Sequence, residues 1–447
     1  MKKLDFTIPV LGKPAVHMPT MSKKKDIWRT SYVDDDQCIL YDISVSRGSS
    51  IRHNNQHNLI EKAGPRENIY FDPSKVHAGI VTCGGLCPGL NDVIRAIVMT
   101  LWYRYGTKRI SGFMYGYRGL LSKFNLPVME LNPEIVSKIH SLGGTILGAS
   151  RGYGDCVEEI VDSLERMNIN MLFTIGGDGT QKGALDISEE AKKRGLKISI
   201  VGIPKTIDND LSFVQKSFGF ETAVSRAVDA VACAHVEAHD GVNGIGIVKV
   251  MGRESGFIAA STAMAINDVN YVLIPEVRFD LEGENGLFTN LERRLKQRNH
   301  AVILVAEGAG QEYMKDSRAI DASGNVQFND IGILLKERIG EYFKTKGIDI
   351  NLKYIDPSYM IRSAPANSND SIYCAKLGAY VTHAAMAGKT GMIISLIHSN
   401  FVHIPIRLAV SGRKRIDPHQ ELWREVIEAT GQPLLLQERR TKPRAKN

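Results

Sequence analysis

Short apolar segments recur along the chain, and each is bounded by glycine, proline or charged residues. They lie near 78–82, 171–175, 198–203, 245–250, 301–306 and 392–397, with helix-length stretches between them. This alternation predicts an α/β fold with largely parallel sheets. Ligands of such folds bind beyond the carboxyl ends of the strands, so the loops that follow the strands are the places where function is expected.

The segment from 171 to 180, Met-Leu-Phe-Thr-Ile-Gly-Gly-Asp-Gly-Thr, is an apolar run that stops at glycines and one carboxylate. The glycines allow a tight turn whose N–H groups approach phosphate oxygens, and a helix predicted from about Gln181 offers its positive end. Asp178 then suits Mg²⁺, which usually takes one or two carboxylates together with substrate phosphates. An ordinary Asp-Gly turn is the alternative.

Two further loops place charged side chains directly after predicted strands. The first is Pro-Lys-Thr-Ile-Asp-Asn-Asp at 204–210. Here an aspartate would take the proton of an attacking hydroxyl, Thr206 would hold the acceptor and Lys205 would neutralise phosphoryl charge; a tight polar turn is the alternative. The second is Met-Gly-Arg-Glu-Ser-Gly at 251–256. Arg253 suits a forked contact with phosphate, against the alternative of a solvated arginine.

Charge and composition narrow the class of partner. The net charge is +7, but the basic residues are concentrated at the two ends, in Lys23, Lys24 and Lys25 and in Arg439, Arg440, Lys442, Arg444 and Lys446. The interior lacks a basic stripe, which favours a small anionic substrate over nucleic acid. The six cysteines lack zinc spacing and indicate a reduced compartment. No apolar run reaches the roughly 18 residues that span a membrane.

The first 75 residues lack sustained periodicity and predict an N-terminal arm that packs on other parts of the chain. They include the acidic run at 34–36 and the polar stretch at 52–57. A strand at 78–82 and a glycine-rich loop at 83–91 follow. The next residues predict a helix with one apolar face, formed by Val93, Ile94, Ile97, Val98, Leu101 and Trp102.

Taken together, these loops resemble the phosphofructokinase family. Gly-Gly-Asp-Gly-Thr, Pro-Lys-Thr-Ile-Asp-Asn-Asp and Met-Gly-Arg-Glu-Ser-Gly occur in the family's order, and Pro275-Glu-Val, Val305-Ala-Glu-Gly and Tyr359-Met-Ile-Arg extend the match over about 76–400. The likeness is to the longer enzymes of plants, spirochaetes and trypanosomatids. It implies transfer of a phosphoryl group to the 1-hydroxyl of fructose 6-phosphate, a step of glycolysis, by a cytoplasmic homotetramer.

The resemblance also implies a domain plan of two Rossmann-like three-layer α/β/α domains with an N-terminal arm and a C-terminal extension. The arm is 1–75, the nucleotide-binding domain 76–216 and the fructose 6-phosphate-binding domain 217–366. Residues 367–447 would return helices and a strand to the first domain and end in the basic tail. The final Arg-Ala-Lys-Asn is not a peroxisomal address, which favours the cytoplasm.

The resemblance assigns roles to individual residues. Asp208 would be the general base, with Lys205 and Arg253 as catalytic cations and Asp178 as the magnesium ligand. Nucleotide contacts would come from Gly85, Arg151, Gly152, Gly177, Asp178, Gly179 and Thr180. Contacts to the sugar phosphate would come from Thr206, Ile207, Asp208, Met251, Gly252, Arg253, Glu307, Tyr359, Met360, Ile361 and Arg362.

Two positions depart from the pattern of the short bacterial enzymes. Tyr359 replaces a histidine, and Gly244 replaces an arginine seven residues before the methionine of the third loop. The second change leaves open which side chain a neighbouring subunit contributes to the substrate phosphate. Lys353 is the candidate by its offset in the sequence.

Two other positions bear on the phosphoryl donor. Relatives that use pyrophosphate typically carry aspartate at the position of Gly179, where a carboxylate would crowd and repel the nucleotide; glycine favours ATP. Lys205 points to pyrophosphate, although long ATP-dependent relatives combine the same glycine and lysine. ATP is therefore the predicted donor and pyrophosphate the alternative. NAD kinases and diacylglycerol kinases share only the first loop, and a non-catalytic sugar-phosphate-binding regulator is a further alternative.

Overall fold

The computed structural model describes residues 4–18, 32–44, 58–314, 328–434 and Leu436. Three segments noted above lie outside these ranges: the basic clusters at 23–25 and 439–446 and the polar stretch at 52–57. The chain divides into two compact units. Unit 1 is Met1–Thr222 with Arg362–Lys414, and unit 2 is Ala223–Ile361 with Arg415–Asn447. The functional labels of the four predicted segments stay predictions.

The strands, in chain order, are β1 (Val16–His17), β2 (Cys38–Leu40), β3 (Leu59–Glu61), β4 (Asn68–Ile69), β5 (His77–Thr82), β6 (Arg109–Phe113), β7 (Val128–Glu130), β8 (Met171–Gly176), β9 (Ser199–Pro204), β10 (Gly244–Val250), β11 (Tyr271–Leu273), β12 (His300–Ala306), β13 (Asn351–Ile355), β14 (Met392–Ile397) and β15 (Asn400–Pro405). The six strands predicted from apolar runs correspond to β5, β8, β9, β10, β12 and β14, and those predictions are confirmed.

The α-helices are α1 (Leu90–Met99), α2 (Val157–Arg166), α3 (Asp178–Lys193), α4 (Phe220–Asp240), α5 (Phe257–Ala265), α6 (Leu287–Arg298), α7 (Ile331–Thr345), α8 (Ser358–Arg362), α9 (Ser368–Met386), α10 (Ile406–Ala409) and α11 (Glu421–Thr430). Within the described ranges, none of them combines the length and the apolar character needed to cross a bilayer.

In its described residues, unit 1 is built on a seven-stranded sheet with the order β15-β14-β9-β8-β5-β6-β7. The strands from β14 to β6 run parallel, and the edge strands β15 and β7 run antiparallel. Every residue of β8 and β9 is buried, as expected of central parallel strands covered on both faces. The predicted α/β fold with largely parallel sheets is confirmed.

The helix after β5 is shorter than the sequence predicted. α1 ends at Met99, and Thr100–Tyr105 form a wider π-helical turn in which Trp102 is only half-buried. The Thr100 hydroxyl donates to the carbonyl of Ala96 at 2.7 Å, which competes with the regular backbone hydrogen bond and loosens the helix. The predicted apolar face therefore holds for α1 but does not continue as α-helix through Trp102.

In the part of unit 2 that the structure describes, four parallel strands form a sheet with the order β11-β12-β10-β13. β10 lies inside the sheet, between β12 and β13, and all its residues are buried. Helix α7 begins at Ile331, where the side chain of Asp330 accepts hydrogen bonds from the N–H groups of Gly332 and Ile333. Of the residues predicted to bind a sugar phosphate, 251–253, 307 and 359–362 follow β10, β12 and β13, whereas 206–208 follow β9 of unit 1.

The described parts of the N-terminal arm belong to unit 1. Two short antiparallel pairs, β1 with β4 and β2 with β3, lie in this region. Phe6, Ile8, Met18, Ile60 and Ile69 are buried in the hydrophobic clusters of the unit. Burial of five apolar side chains indicates that this part of the arm is integral to the core of unit 1.

A buried ionic cluster also holds the arm. Oε1 of Glu61 lies 2.8 Å from a guanidinium nitrogen of Arg66, 2.7 Å from Nζ of Lys389 and 3.2 Å from Nδ1 of His403. Burial alone would raise the pKa of Glu61, but its pairing with His403 and Lys389 outweighs burial and holds the pKa far below its ordinary value. The carboxylate is therefore the centre of this cluster.

We expect Glu61→Gln to destabilise unit 1 by about 3 kcal/mol, because it removes the carboxylate that pairs with Lys389 and with the buried Arg66. The pKa of Glu61 in the folded chain is below its ordinary 4.5, so this stability is present above that pH and is lost as the pH falls. Thermal unfolding from pH 7 downward checks both points. Glu67→Gln is the matched control, since Glu67 is exposed; equal melting temperatures for the two variants would contradict the expectation.

Candidate active site

The candidate site of unit 1 lies where three neighbouring strands end. β5, β8 and β9 are adjacent and parallel, so the segments that follow them start at the same edge of the sheet. The N–H of Gly84 donates to the carbonyl of Ser150 at 2.8 Å, and the N–H of Lys205 donates to the carbonyl of Gly176 at 2.9 Å. These backbone hydrogen bonds bring the loops at 83–89, 150–152, 176–180 and 205–210 together.

Lys205 is the cation at the centre of these loops. Its side chain is buried, and its Nζ donates to the carbonyl of Gly85 at 2.6 Å. Gly84 has φ +84°, and a Cβ there would lie 3.1 Å from the same ammonium, so only glycine suits this position. Burial lowers the pKa of Lys205 from its ordinary value. The ammonium is therefore held against the glycine-rich loop at 83–89.

Arg151 provides a second cation beside the same loop. A Cβ built on Gly85 would lie 3.7 Å from one guanidinium nitrogen of Arg151, so backbone and guanidinium are close. Gly152 follows with φ +82°, a left-handed conformation that favours glycine. The structure thus brings together Gly85, Arg151 and Lys205, which the sequence placed more than 50 residues apart from one another.

The glycine loop after β8 leads directly into a helix. α3 begins at Asp178, three residues earlier than predicted, because Gly177 has extended backbone and acts as the N-cap. Thr180 is buried and its carbonyl accepts a hydrogen bond from the hydroxyl of Tyr117 at 2.7 Å. Within the described chain, a Cβ built on Gly179 meets no atom within 4 Å. The amino end of α3 therefore presents N–H groups beside open space.

Asp178, the predicted magnesium ligand, lies in the first turn of α3. Its carboxylate is 21% exposed and lies 2.8 Å from Nζ of Lys182, one turn along α3. Among the residues that the structure describes, no cluster of three or more histidine, cysteine or acidic side chains has metal-binding geometry. A lone carboxylate beside a phosphate loop fits Mg²⁺, which takes most of its ligands from phosphates and water.

The loop after β9 is held by side-chain hydrogen bonds. Thr206 donates its hydroxyl proton to Oδ1 of Asp210 at 2.7 Å, and Oδ2 of Asp210 lies 3.3 Å from a guanidinium nitrogen of Arg413. Asn209 has φ +55°, and its side chain accepts from the N–H of Ser217. This network fixes the turn on which Ile207 and Asp208 lie, and both are half-buried.

In unit 2, the loops after β10 and β12 are in direct contact. The N–H of Glu307 donates to the carbonyl of Val250, and the N–H of Gly308 donates to the carbonyl of Gly252, both at 2.9 Å. Gly252 has φ +135°, and a Cβ on Gly308 would lie 1.9 Å from the carbonyl oxygen of Arg253. The segments that carry Met251, Gly252, Arg253 and Glu307 are therefore brought together, and their role in binding a sugar phosphate stays a prediction.

The remaining predicted sugar-phosphate residues follow β13. Tyr359 and Met360 are 78% and 75% exposed on α8, whereas Ile361 is buried. The guanidinium of Arg253 lies over the ring of Phe328 with 4.7 Å between its carbon and the ring centroid, a geometry that holds its plane in place. Arg362 ends α8 and belongs to unit 1, so the division between units falls within this helix.

Gly244 leaves no space for the arginine that shorter enzymes carry. A Cβ at this position would lie 1.9 Å from the carbonyl oxygen of Ala238 on α4, so close packing of helix and strand requires glycine. Lys353 lies on β13, opposite Gly246 of β10, and is exposed. Its contribution to a neighbouring subunit stays a prediction.

Four contributors were not predicted from the sequence. Gly84 contacts the ammonium of Lys205, Arg413 holds Asp210, and Phe328 lies against Arg253; Lys249 is a buried cation at the end of β10. The basic run at 413–415 and the lysine inside an otherwise apolar strand were visible signals. No sequence signal indicated the contact of Phe328, since this residue lies 75 positions from Arg253.

In this α/β fold, cations and a carboxylate are gathered at the carboxyl ends of parallel strands. This arrangement is typical of enzymes that transfer phosphoryl groups. The chain matches the phosphofructokinase family over residues 77–385. It belongs to that family.

Comparison with individual relatives agrees with this assignment. The chain is 56% identical over 440 residues to the ATP-dependent 6-phosphofructokinase of Borreliella burgdorferi, covering 97% of this chain and 98% of that one. It is 46% identical to the ATP-dependent 6-phosphofructokinase of Trypanosoma brucei brucei, covering 93% and 86%. The crystal structure of a pyrophosphate-dependent phosphofructokinase from Marinobacter aquaeolei superposes with a TM-score of 0.65 at 19% identity, covering 81% and 92%. That structure supports the fold alone.

Proposed function

We propose that the chain is an ATP-dependent 6-phosphofructokinase, which transfers the γ-phosphoryl group of MgATP to the 1-hydroxyl of D-fructose 6-phosphate. The products are fructose 1,6-bisphosphate and ADP. The observation that carries the proposal is the convergence of Gly85, Arg151, Lys205 and the glycine loop at the amino end of α3. Relatives that carry this name over nearly the full chain support it.

In this mechanism, the side chains of unit 1 align the reactants and move one proton. Asp208 accepts the proton of the substrate 1-hydroxyl. The oxygen of that hydroxyl forms the new bond to the γ-phosphorus, while the bond between the γ-phosphorus and the β,γ-bridging oxygen breaks. Lys205 and Arg151 offset the negative charge of the transferred group and of the leaving ADP. Magnesium, held by Asp178 and the phosphates, would supply further positive charge.

The side chains of unit 2 would bind the acceptor. Arg253 offers two parallel N–H donors to a phosphate, and the ring of Phe328 keeps the guanidinium plane fixed. Glu307 follows β12 beside Arg253 and suits a sugar hydroxyl, because a carboxylate accepts hydrogen bonds. Thr206 of unit 1, whose hydroxyl proton is directed to Asp210, keeps its oxygen lone pairs available as acceptors.

ATP is the donor that the structure favours. The space beside Gly179 leaves room for the part of a nucleotide beyond its transferred phosphate. Lys205 suits either donor, so pyrophosphate is the second candidate. Initial rates with fructose 6-phosphate and Mg²⁺, measured in parallel with ATP and with pyrophosphate, decide between them. We expect turnover with ATP alone; turnover with pyrophosphate alone would reverse the donor assignment, and none with either would overturn the proposal.

A homotetramer in the cytoplasm is part of the same proposal. An exposed Lys353 on β13 is consistent with a role toward another subunit. The substrates are small anions, in keeping with the absence of a basic stripe from the interior of the sequence.

A further inference from the structure

Lys249 is a buried cation that none of the predicted roles uses. It lies on β10, one residue before the strand ends and two before Met251, and its side chain is 11% exposed. Its Nζ lies 2.5 Å from Oδ2 of Asp330 and 2.9 Å from Oδ2 of Asp356. Burial alone would lower the pKa of Lys249, but its hydrogen bonds with Asp330, Asp356 and Tyr354 outweigh burial and raise it above the ordinary value. The side chain is therefore an ammonium between two carboxylates.

Each of the two carboxylates also accepts hydrogen bonds at the start of a helix. Oδ1 of Asp330 accepts from the N–H groups of Gly332 and Ile333 at the start of α7. Oδ1 of Asp356 accepts from the N–H and the hydroxyl of Ser358 at the start of α8. One ammonium thus ties the end of β10 to the beginnings of α7 and α8.

Two of these segments, the end of β10 and α8, lead into or contain residues predicted to contact the sugar phosphate, and the third follows a residue that lies against Arg253. Asp330 follows Phe328, the ring against which Arg253 lies. The side chain of Gln311 donates to the carbonyls of Glu307 and Asn329, which joins the loop after β12 to the same region. Tyr359, Met360 and Ile361 form the body of α8. The ion pairs of Lys249 therefore join the end of β10 to the segment before α7 and to the start of α8.

A buried ion pair is weak evidence for stability, because apolar residues of similar volume often serve as well or better. A buried ion pair matters more for function where it fixes the relative position of chain segments. We propose that Lys249 is a positioning residue for fructose 6-phosphate: it sets the spacing of the Arg253 loop, Phe328 and α8 without touching the reacting atoms. The substrate in this statement rests on the proposed function.

The test compares Lys249→Met with Lys296→Met in the full chain. Lys296 pairs with Glu292 on the exposed face of α6, so it controls for loss of a lysine in an ion pair of the same unit. We expect Lys249→Met to raise the KM for fructose 6-phosphate about tenfold or more, with kcat and the KM for ATP within about threefold of wild type. Lys296→Met should match wild type in all three constants.

A second variant covers the case in which Lys249→Met does not fold. Asp356→Asn keeps an oxygen that accepts from Ser358 but removes the charge that faces Lys249, and it should raise the same KM by a smaller factor. A folded Lys249→Met with unchanged KM for fructose 6-phosphate would overturn the proposal, as would equal changes in the constants for both substrates. If Lys249→Met does not fold, an unchanged KM in Asp356→Asn would overturn it.

Calorimetric titration with fructose 6-phosphate alone separates the positioning role from the reaction. A wild-type chain that binds the sugar phosphate without turning it over, with binding weakened by Lys249→Met, would remove the proposed reaction and support the positioning role. A wild-type chain that neither binds nor turns over fructose 6-phosphate would overturn both.

Discussion

Replacing Asp208 with alanine is expected to lower kcat by about 10²- to 10⁴-fold, the contribution of a general base to a positioned proton transfer. The KM for fructose 6-phosphate should change by less than about threefold, because the sugar-phosphate contacts lie mainly on other residues. The reason is local: Asp208 lies on a turn that Thr206, Asp210 and Ser217 hold in place, so the carboxylate is presented by a fixed backbone. Steady-state kinetics with ATP and fructose 6-phosphate measure both constants.

Asp186→Asn is the matched control for this experiment. Asp186 is an exposed aspartate on α3, and its amide variant should keep wild-type constants. Asp208→Asn should behave like Asp208→Ala, since an amide of the same shape does not accept the proton. Near-normal turnover in either Asp208 variant would remove this residue as the base and direct attention to the other carboxylate of the loop.

Gly179→Asp is expected to lower kcat/KM for ATP by about a hundredfold or more, the size of effect that a like charge close to a nucleotide phosphate has at moderate dielectric screening. The fold should be unaffected. Within the described chain no atom lies within 4 Å of a Cβ at this position, and a carboxylate in the first turn of α3 interacts favourably with the helix dipole. Donor kinetics and melting temperature are measured on the same preparation.

Gly179→Ala separates charge from bulk in this test. Its methyl group occupies the same open space and should leave kcat/KM for ATP within about threefold of wild type, with an equal or slightly higher melting temperature, because alanine favours helix over glycine. If both variants lose ATP turnover equally, crowding alone explains the effect. Unchanged ATP kinetics in Gly179→Asp would refute the argument that glycine here selects the donor.

The sequence indicated the main strands because central parallel strands are mostly apolar on both faces, and β8 and β9 are largely apolar runs, with Thr174 and Ser199 as the polar side chains. Their glycine-rich endings indicated the loops. The edge strands β7 and β15 were not predicted, since half-exposed or hairpin strands lack so clear a pattern. The end of α1 was misplaced because the hydrogen bond between the Thr100 hydroxyl and Ala96 leaves no trace in apolar periodicity.

For the candidate site, residue type and spacing indicated the chemistry of the side chains but not the contacts that hold those side chains in place. Lys205 was predicted to neutralise phosphoryl charge, yet its hydrogen bond to the carbonyl of Gly85 depends on a contact across 120 residues. Arg413 and Lys249 act through carboxylates that are distant in sequence, and only the folded chain shows those partners. Long-range pairing is therefore the part that spacing rules leave undetermined.

The strand order of unit 1 has a consequence for how the chain folds during synthesis. β9 is complete at Pro204, but its neighbour β14 begins only at Met392, about 190 residues later, and the hairpin partner β15 ends at Pro405. At about 5–20 residues per second, a ribosome needs about 10–40 s to make that interval. Throughout it, one edge of β9, a strand that is fully buried in the folded chain, lacks its partner, so the nascent chain is vulnerable to aggregation while residues 205–391 are being made.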